Sequence, residues 1–485
     1  MRHQRRTILL ALAAILIAAS AGLAAVVKLR SLHDWQYTSD LFLYDRMLAE
    51  TLRGRFGVEY AYGRQFGEHA YLSLLLLLPA KLALGGRFPE LLVVLAPLAY
   101  ACGAGAFYWG ISAGGAGWKA EVSLLFYAFG AALPLGLLEP YCGFHPDIAG
   151  AFLGAAMIAV MARAQSSPSR AARGGAVLLL VLFAATKEEF AICALVATAV
   201  LALRTRTELS RRWLFIPAAI AAFDAVFLAV MKTPFNRGDL ALAQAWLSGG
   251  HRFWPPNAEW LVASSLAAGL LVCGAADGLD PYAAAAAAMS AVHFPAAFLL
   301  GDYSPLSWHN VPTFVFLSAA LAAQFARAGR SAASTAVAAT LAAALGARAL
   351  AWSLPVLAAL ACAPSGPNFH RTLARRERSA ARLRARMNPG FVAAIPLYAA
   401  ESWARAGARF SFYPHGVSAP PEGIARYAVL DDAQKEVPPP ACYRREAADG
   451  DFTLYERRGA CPGLDAQRER FVRLFGREAI EPASP

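Results

Sequence analysis

Residues 174–203 read GGAVLLLVLFAATKEEFAICALVATAVLAL, two apolar runs broken by one charged triplet, Lys187-Glu188-Glu189. A helix needs about 20 apolar residues to cross a bilayer. Charge inside such a stretch is costly, so it faces a cavity, finds a partner or marks a turn. Runs 174–186 and 190–203 therefore read as the arms of a helical hairpin with a charged tip. Outward from them, similar runs recur at 8–27, 71–84, 90–112, 120–138, 147–162, 213–231, 259–276, 283–300, 311–326 and 332–362. The 485 residues are 58% hydrophobic and 16% charged, with mean hydropathy +0.42. Soluble domains run nearer 45–50% apolar and about 25% charged. The expected fold is mainly α, a polytopic transmembrane bundle of roughly ten or eleven spans over 1–363, with a soluble α/β domain over 364–485.

Net charge is +12. Nucleic acid is not the expected partner, because the arginines sit mostly in short loops at 163–173, 204–212 and 327–330, where positive charge sets topology. Loops 30–70, 139–147, 187–189, 232–258 and 301–310 instead carry acids, histidines and aromatics. Arg2, Arg5 and Arg6 precede the run Ile8–Val27. That run exceeds the 7–15 residues of a signal core and reads as an uncleaved first span with its N-terminus in the cytoplasm. Run 71–84 is ~21 Å long as a helix, short of the ~30 Å hydrocarbon core. If it dips in or lies in the interface, every arginine loop falls on one side and every acid-histidine loop on the other. Run 332–362 is too long for one span. It is either a span plus an interfacial helix, leaving the C-terminus outside, or two short spans, leaving it inside; outside is expected.

After Pro364 the composition changes. Residues 370–387 hold seven Arg and one Glu among helix formers and read as a surface helix, with lipid phosphates as a possible contact. Short strands are expected at 409–413, 425–430 and 452–456, and an amphipathic helix at 465–478. The seven cysteines show no CxxC and no zinc spacing. Cys442 and Cys461 can bridge if the domain is exported.

The loop 30–70 places Asp34, Asp40, Asp45, Glu59, Glu68, His33 and His69 among Trp35, Tyr37, Phe42, Tyr44, Tyr60 and Tyr62. Leu41, Tyr44, Leu48 and Leu52 fall on one helical face, which reads as an interfacial helix. A carboxylate there can take a proton from a hydroxyl or help a divalent ion hold phosphate; it can also be plain solvated loop. In Phe144-His145-Pro146-Asp147, Pro146 and Asp147 suit a helix start, whereas His145 is not needed for that. Lys187 is a point charge suited to an anionic substrate. Asp302, Tyr303 and His309 form a further polar group. No Walker loop, hydrolase elbow or HExxH is present.

The blocks DLFLYDRMLAETLRGRF…GEHAYLSLLLLLPAKLAL, GFHPDIAGAFLGAA and ATKEEFAI, with the tail AAIPLYAAESWARAGARFSFYP…ARYAVLDD, resemble a prokaryotic family of predicted membrane proteins known as a domain of unknown function. That family in turn resembles the GT-C superfamily of membrane glycosyltransferases. The resemblance implies transfer of a sugar from a polyprenyl-phosphate donor to an acceptor at the outer face of a bacterial inner membrane. It makes Asp40 or Asp45 the acidic loop position, His69 and His145 the recurrent histidines, and Lys187 with Glu188 the Lys-Glu pair. Glu68 and His309 join these as expected substrate contacts, with membrane lipids and the lipid-linked donor as partners. The family pattern has Gln after the loop Asp, where this chain has Arg46. A divalent cation is allowed, but no tight ligand spacing marks a metal site. The other readings are a non-catalytic lipid or solute carrier, which predicts charges lining a path through the spans, and an envelope scaffold.

Overall fold

The computed structural model describes residues 2–35, 37, 39–60, 63–113, 118–129, 143–236, 258–299, 311–361, 367–412, 424–431 and 442–482. It is mainly helical, with a small C-terminal sheet domain. In chain order the helices are α1 Arg2–His33, α2 Ser39–Leu52, α3 Leu78–Leu84, α4 Phe88–Ile111, α5 Trp118–Phe129, α6 Pro146–Ser166, α7 Arg170–Ala184 and α8 Glu188–Thr205. They continue with α9 Glu208–Met231, α10 Ala258–Asp277, α11 Pro281–Leu299, α12 Val311–Arg327, α13 Ala332–Ala361 and α14 Pro367–Ala385. By length and composition alone, Thr7–His33, Leu72–Ile111, Pro146–Ser166 and Glu208–Met231 are long and apolar enough to cross a membrane, and α12 is a shorter apolar helix.

The outer surface carries the mark of a lipid solvent. Leu12, Ile15, Leu98, Leu178, Ile192, Phe215, Phe223, Val226 and Leu271 all point outward along these helices. Such an apolar girdle is far beyond what a water-soluble surface shows. Inside, small residues let backbones meet. A Cβ on Gly110 of α4 would lie 2.3 Å from the Ala159 carbonyl carbon of α6, the close approach that membrane helix pairs favour.

Hydrogen bonds define two rims. At one, Arg163 donates to the Trp109 carbonyl (2.8 Å), Gln165 to Thr207 Oγ1 (3.0 Å) and Arg204 to the Leu279 carbonyl (2.7 Å), while Arg327 pairs with Asp280 (3.1 Å). At the other, Ser73 N donates to the Ala185 carbonyl (2.8 Å), Asn236 Nδ2 to the Arg64 carbonyl (2.7 Å), and His33 meets Glu401 (3.2 Å). From α6 to α12 successive helices run from one rim to the other. The α7–α8 hairpin has its tip at the second rim, beside the start of α6. Among the described residues, the first rim carries the arginine loops and the second carries the first loop, 143–147 and 187–189.

Run 71–84 is not a single helix. It forms a 3-10 turn, Leu72–Leu77, followed by α3, and Gly85 (φ +55) breaks it from α4. Its Leu74 joins one buried cluster with Tyr44, Tyr71, Trp403 and Phe452. Run 332–362 differs from both expectations by being one continuous helix, α13. Gly346 and Pro355 both fall inside it without ending it.

In the first loop β1 Val58–Glu59 pairs antiparallel with β2 Gly63–Arg64, and the C-terminal sheet comprises β3 Ala393–Ile395, β4 Phe410–Phe412, β5 Tyr427–Asp431, β6 Tyr443–Asp449 and β7 Phe452–Arg457, in the order β4-β3-β5-β7-β6. Strand β3 is parallel to β4 and β5, and β5-β7-β6 is antiparallel. Helices α15 Ala400–Arg405 and α16 Pro462–Phe475 flank it. The expected strands and the late helix are present, with shifted ends. Strand β6 lies at the edge, so its YRREAAD sequence never had to be apolar. The arginine helix α14 docks on the β6–β7 turn. Arg375 and Arg376 meet Asp451, and Arg382 pairs with Asp449 and holds that carboxyl down to about 2.

Cys442 is bonded to Cys461, with Cα atoms 5.6 Å apart. Replacing either by Ser removes a loop constraint valued at roughly 3 kcal/mol. In urea titrations read by limited proteolysis, cleavage within 442–482 then begins at lower urea than in the parent. An unchanged onset contradicts a stabilising bridge.

Candidate functional site

At the acid-histidine rim the N-termini of α6 and α8 stand side by side. His145 is the extended residue before α6, Pro146 starts the helix, and Asp147 lies in its first turn. Lys187 is the extended residue before α8. All four are buried. Lys187 is wholly enclosed, and its Nζ donates to Asp147 Oδ1 (3.1 Å) and pairs with Glu189 Oε1 (3.2 Å). His145 Nδ1 pairs with Asp147 Oδ2. From α11, His293 Nε2 lies 3.8 Å from Glu189 Oε2, and His293 Nδ1 meets Thr313 Oγ1 at 3.1 Å.

The first loop caps this cluster. His69 Nδ1 lies 2.7 Å from Glu188 Oε1, and Ala70 N donates to Glu188 Oε2 (3.0 Å). The Tyr44 hydroxyl donates to that of Tyr71 (3.3 Å), and the Tyr44 ring stands edge-on to Phe144, His145 and Tyr71. Gly143 takes φ +76 against the Tyr37 ring, where a Cβ would come within 2.7 Å. Burial works against a charged His69, but the Glu188 carboxylate outweighs it and raises the imidazole pKa above its ordinary value.

Asp147, Glu189 and His293 bring ligand atoms within 4.8 Å of one another, a grouping that could hold a metal ion. The donor set is suitable, but the ammonium of Lys187 already stands against both carboxylates. A divalent ion fits only if Lys187 leaves, so no step is routed through one here.

Of the residues singled out from sequence, His69, Glu188, His145 and Lys187 come together. Glu68 stands beside them and accepts from Asn236 Nδ2 (3.3 Å). Asp45 is buried on α2 and paired with Lys81, whose Nζ also reaches the Gly85 carbonyl (3.1 Å). Arg46 turns away from Asp45 toward the Ala408 carbonyl. Asp40 is half-buried in the first turn of α2. His309 lies outside the described residues. Reading the sequence missed Glu189 and Lys81 and gave Asp147 only a helix-start role. It also missed His293, although an ionisable side chain in the Ala-rich PYAAAAAAMSAVHFPAAFL is itself the signal.

Compared with solved structures, the chain is similar to ArnT from Cupriavidus metallidurans bound to undecaprenyl phosphate. The TM-score is 0.55 at 12% identity, over 90% of this chain and 97% of that one. The apo state of the same protein matches with TM-score 0.51 at 13% identity and the same coverage. The fold is ArnT-like. No family model matches the chain, and no curated protein does.

Two outcomes follow from this geometry. Lys187→Met removes the ammonium from buried Asp147 and half-buried Glu189 and costs about 3–5 kcal/mol, read as a fall in melting temperature in detergent. Adding Asp147→Asn recovers part of that loss, whereas strictly additive losses contradict the pairing. The His69–Glu188 contact is full below about pH 6.5, the ordinary histidine value, and fades as pH rises through the raised pKa. The stability gap between the parent and His69→Gln therefore closes between mildly acidic and alkaline pH; a gap independent of pH contradicts a charged His69.

Proposed function

We propose that this protein transfers a sugar from a polyprenyl-phosphate donor to an acceptor hydroxyl, with the acid-histidine rim at the outer face of a bacterial inner membrane. The observation that carries the reading is the likeness, over 90% of the chain, to a protein crystallised with undecaprenyl phosphate, in a fold whose ionisable groups gather under the first loop at one rim. The arginine rim and N-terminus then face the cytoplasm. An outward C-terminal domain agrees with its disulfide, a bond that persists in oxidising compartments.

In the reaction the acceptor oxygen bonds to the anomeric carbon as the bond from that carbon to the phosphate oxygen breaks. The bonding electrons leave with the polyprenyl phosphate, and the acceptor proton passes to a carboxylate. Asp40 is the first candidate for that base because it is half-buried on a helix beside the cluster. Asp45, paired with Lys81, is better placed to fix α2 against α3. His69, in its cationic form, faces the departing phosphate. Lys187, fully enclosed, holds Asp147 and Glu189 in place. The carrier reading has one observation in its favour, the buried Asp224 within α9, but a single acid does not line a path.

General-base catalysis is typically worth 10²–10⁴-fold, so Asp40→Asn is expected to cut turnover by about that much. The readout is mass spectrometry of envelope glycans and lipids in a deletion strain carrying the parent or the variant. A glycan or lipid species that is missing in the deletion strain, returns with the parent and stays low with Asp40→Asn is the predicted pattern. Unchanged envelope chemistry in the deletion strain removes the enzyme reading.

A further inference from the structure

The C-terminal domain holds a cavity of about 210 Å³ lined by Phe391, Ile424, Ala425, Arg426, Arg457, Arg458, Gly459, Asp465, Arg468, Ile480 and Glu481. Neither the histidine rim nor the proposed transfer uses it. Four guanidinium groups line it with Asp465 and Glu481, and Glu456 and Glu446 stand behind them. Arg457 is buried and bonded to Asp465, and Arg468 pairs with Glu481. Arg426 and Arg458 both lean on Glu456, at 3.0 and 3.2 Å. Each guanidinium has five N–H donors in a planar fork, more than these carboxylates occupy together. Burial, and then the neighbouring Arg457 and Arg477, hold the Arg468 pKa below its ordinary value, a crowding of positive charge that an anion relieves.

The walls are firm. Gly459 and Arg458 donate from their backbone N–H groups to the Cys442 carbonyl, at 3.3 and 2.9 Å, so the Cys442–Cys461 bond pins the strand end that carries two of the arginines. The apolar floor, Ile424 and Ile480, packs on Val58, Tyr60 and Phe471, and the Tyr60 hydroxyl donates to the Ala479 carbonyl (2.9 Å). The cavity therefore rests directly on the first loop. It is smaller than the ~300–1,000 Å³ of drug-sized sites, room for one compact head group.

We propose that this cavity is a binding site for a phosphomonoester group, held by Arg426, Arg457, Arg458 and Arg468 with the Phe391 ring as its apolar wall. A phosphomonoester carries about −1.5 to −2 charges near neutrality, and guanidinium forks bind phosphate oxygens in pairs. The source is either a soluble phosphate compound or a lipid head group. The proposal stands independently of the glycosyltransferase reading.

The test is calorimetry on the full chain in detergent with three probes: inorganic phosphate, dihexanoyl phosphatidic acid and dihexanoyl phosphatidylcholine. Binding of the first or second but not the third is expected. Phosphate alone points to a soluble ligand, and a strong preference for phosphatidic acid points to a lipid head group. Arg426 and Arg458 are half-exposed, so Arg426→Gln with Arg458→Gln spares the buried pair and is expected to weaken binding about tenfold or more. Reducing the disulfide is expected to weaken it as well. Absence of binding by both phosphate probes, equal binding of phosphatidylcholine, or an unchanged affinity in the double variant each overturns the proposal.

Discussion

The ammonium of Lys187, enclosed between Asp147 and Glu189, is the contact on which the rest depends. Three segments start from it: α6, the α7–α8 hairpin and, through Glu189, the His293 face of α11. A lone charge at this depth is prohibitive, and two carboxylates side by side repel. With the lysine between them the group keeps a single net negative charge, and two helix N-termini rest beside it. Their partial positive charges favour Asp147, Glu188 and Glu189 in the first turns. The adjacent Glu188 points the other way and fastens the first loop through His69 and Ala70. One triplet thus fixes the inside of the bundle and its lid together.

The same arrangement links the membrane part to the sheet domain. The first loop is the shared element. Its α2 packs on α3 and, with Trp403, Phe410 and Phe452, forms one continuous apolar cluster, while its small β-hairpin supports the α16 side of the domain. Anything bound at the sheet domain therefore lies one layer from the histidine cap, and a shift of the loop would be felt at both places.

Much of this was legible in the sequence, and the parts that were not share a cause. Run lengths and charge at their ends gave the helices and the hairpin tip, because hydrocarbon thickness is a strong external ruler. The meeting of His69, His145, Lys187 and Glu188 was also anticipated. What sequence could not show was which charge neutralises which. Asp45 precedes Arg46, yet its partner is Lys81, because a helix sends neighbouring side chains in different directions. Asp147 looked sufficient as a helix-start residue, and only the fold brings it to Lys187. Strand β6 was invisible because an edge strand tolerates a polar sequence.

The central claim is that proton-active side chains gather at a single non-cytosolic rim and arginines hold the other. Labelling intact cells with a membrane-impermeant maleimide tests it most directly, using single cysteines at Glu68 and Glu446 on one side and at Arg206 and Arg330 on the other. Reaction at 68 and 446 in intact cells, with 206 and 330 reacting only after lysis, is the predicted result. Labelling of 206 or 330 from outside, or protection of 68 alongside a reactive 446, contradicts it.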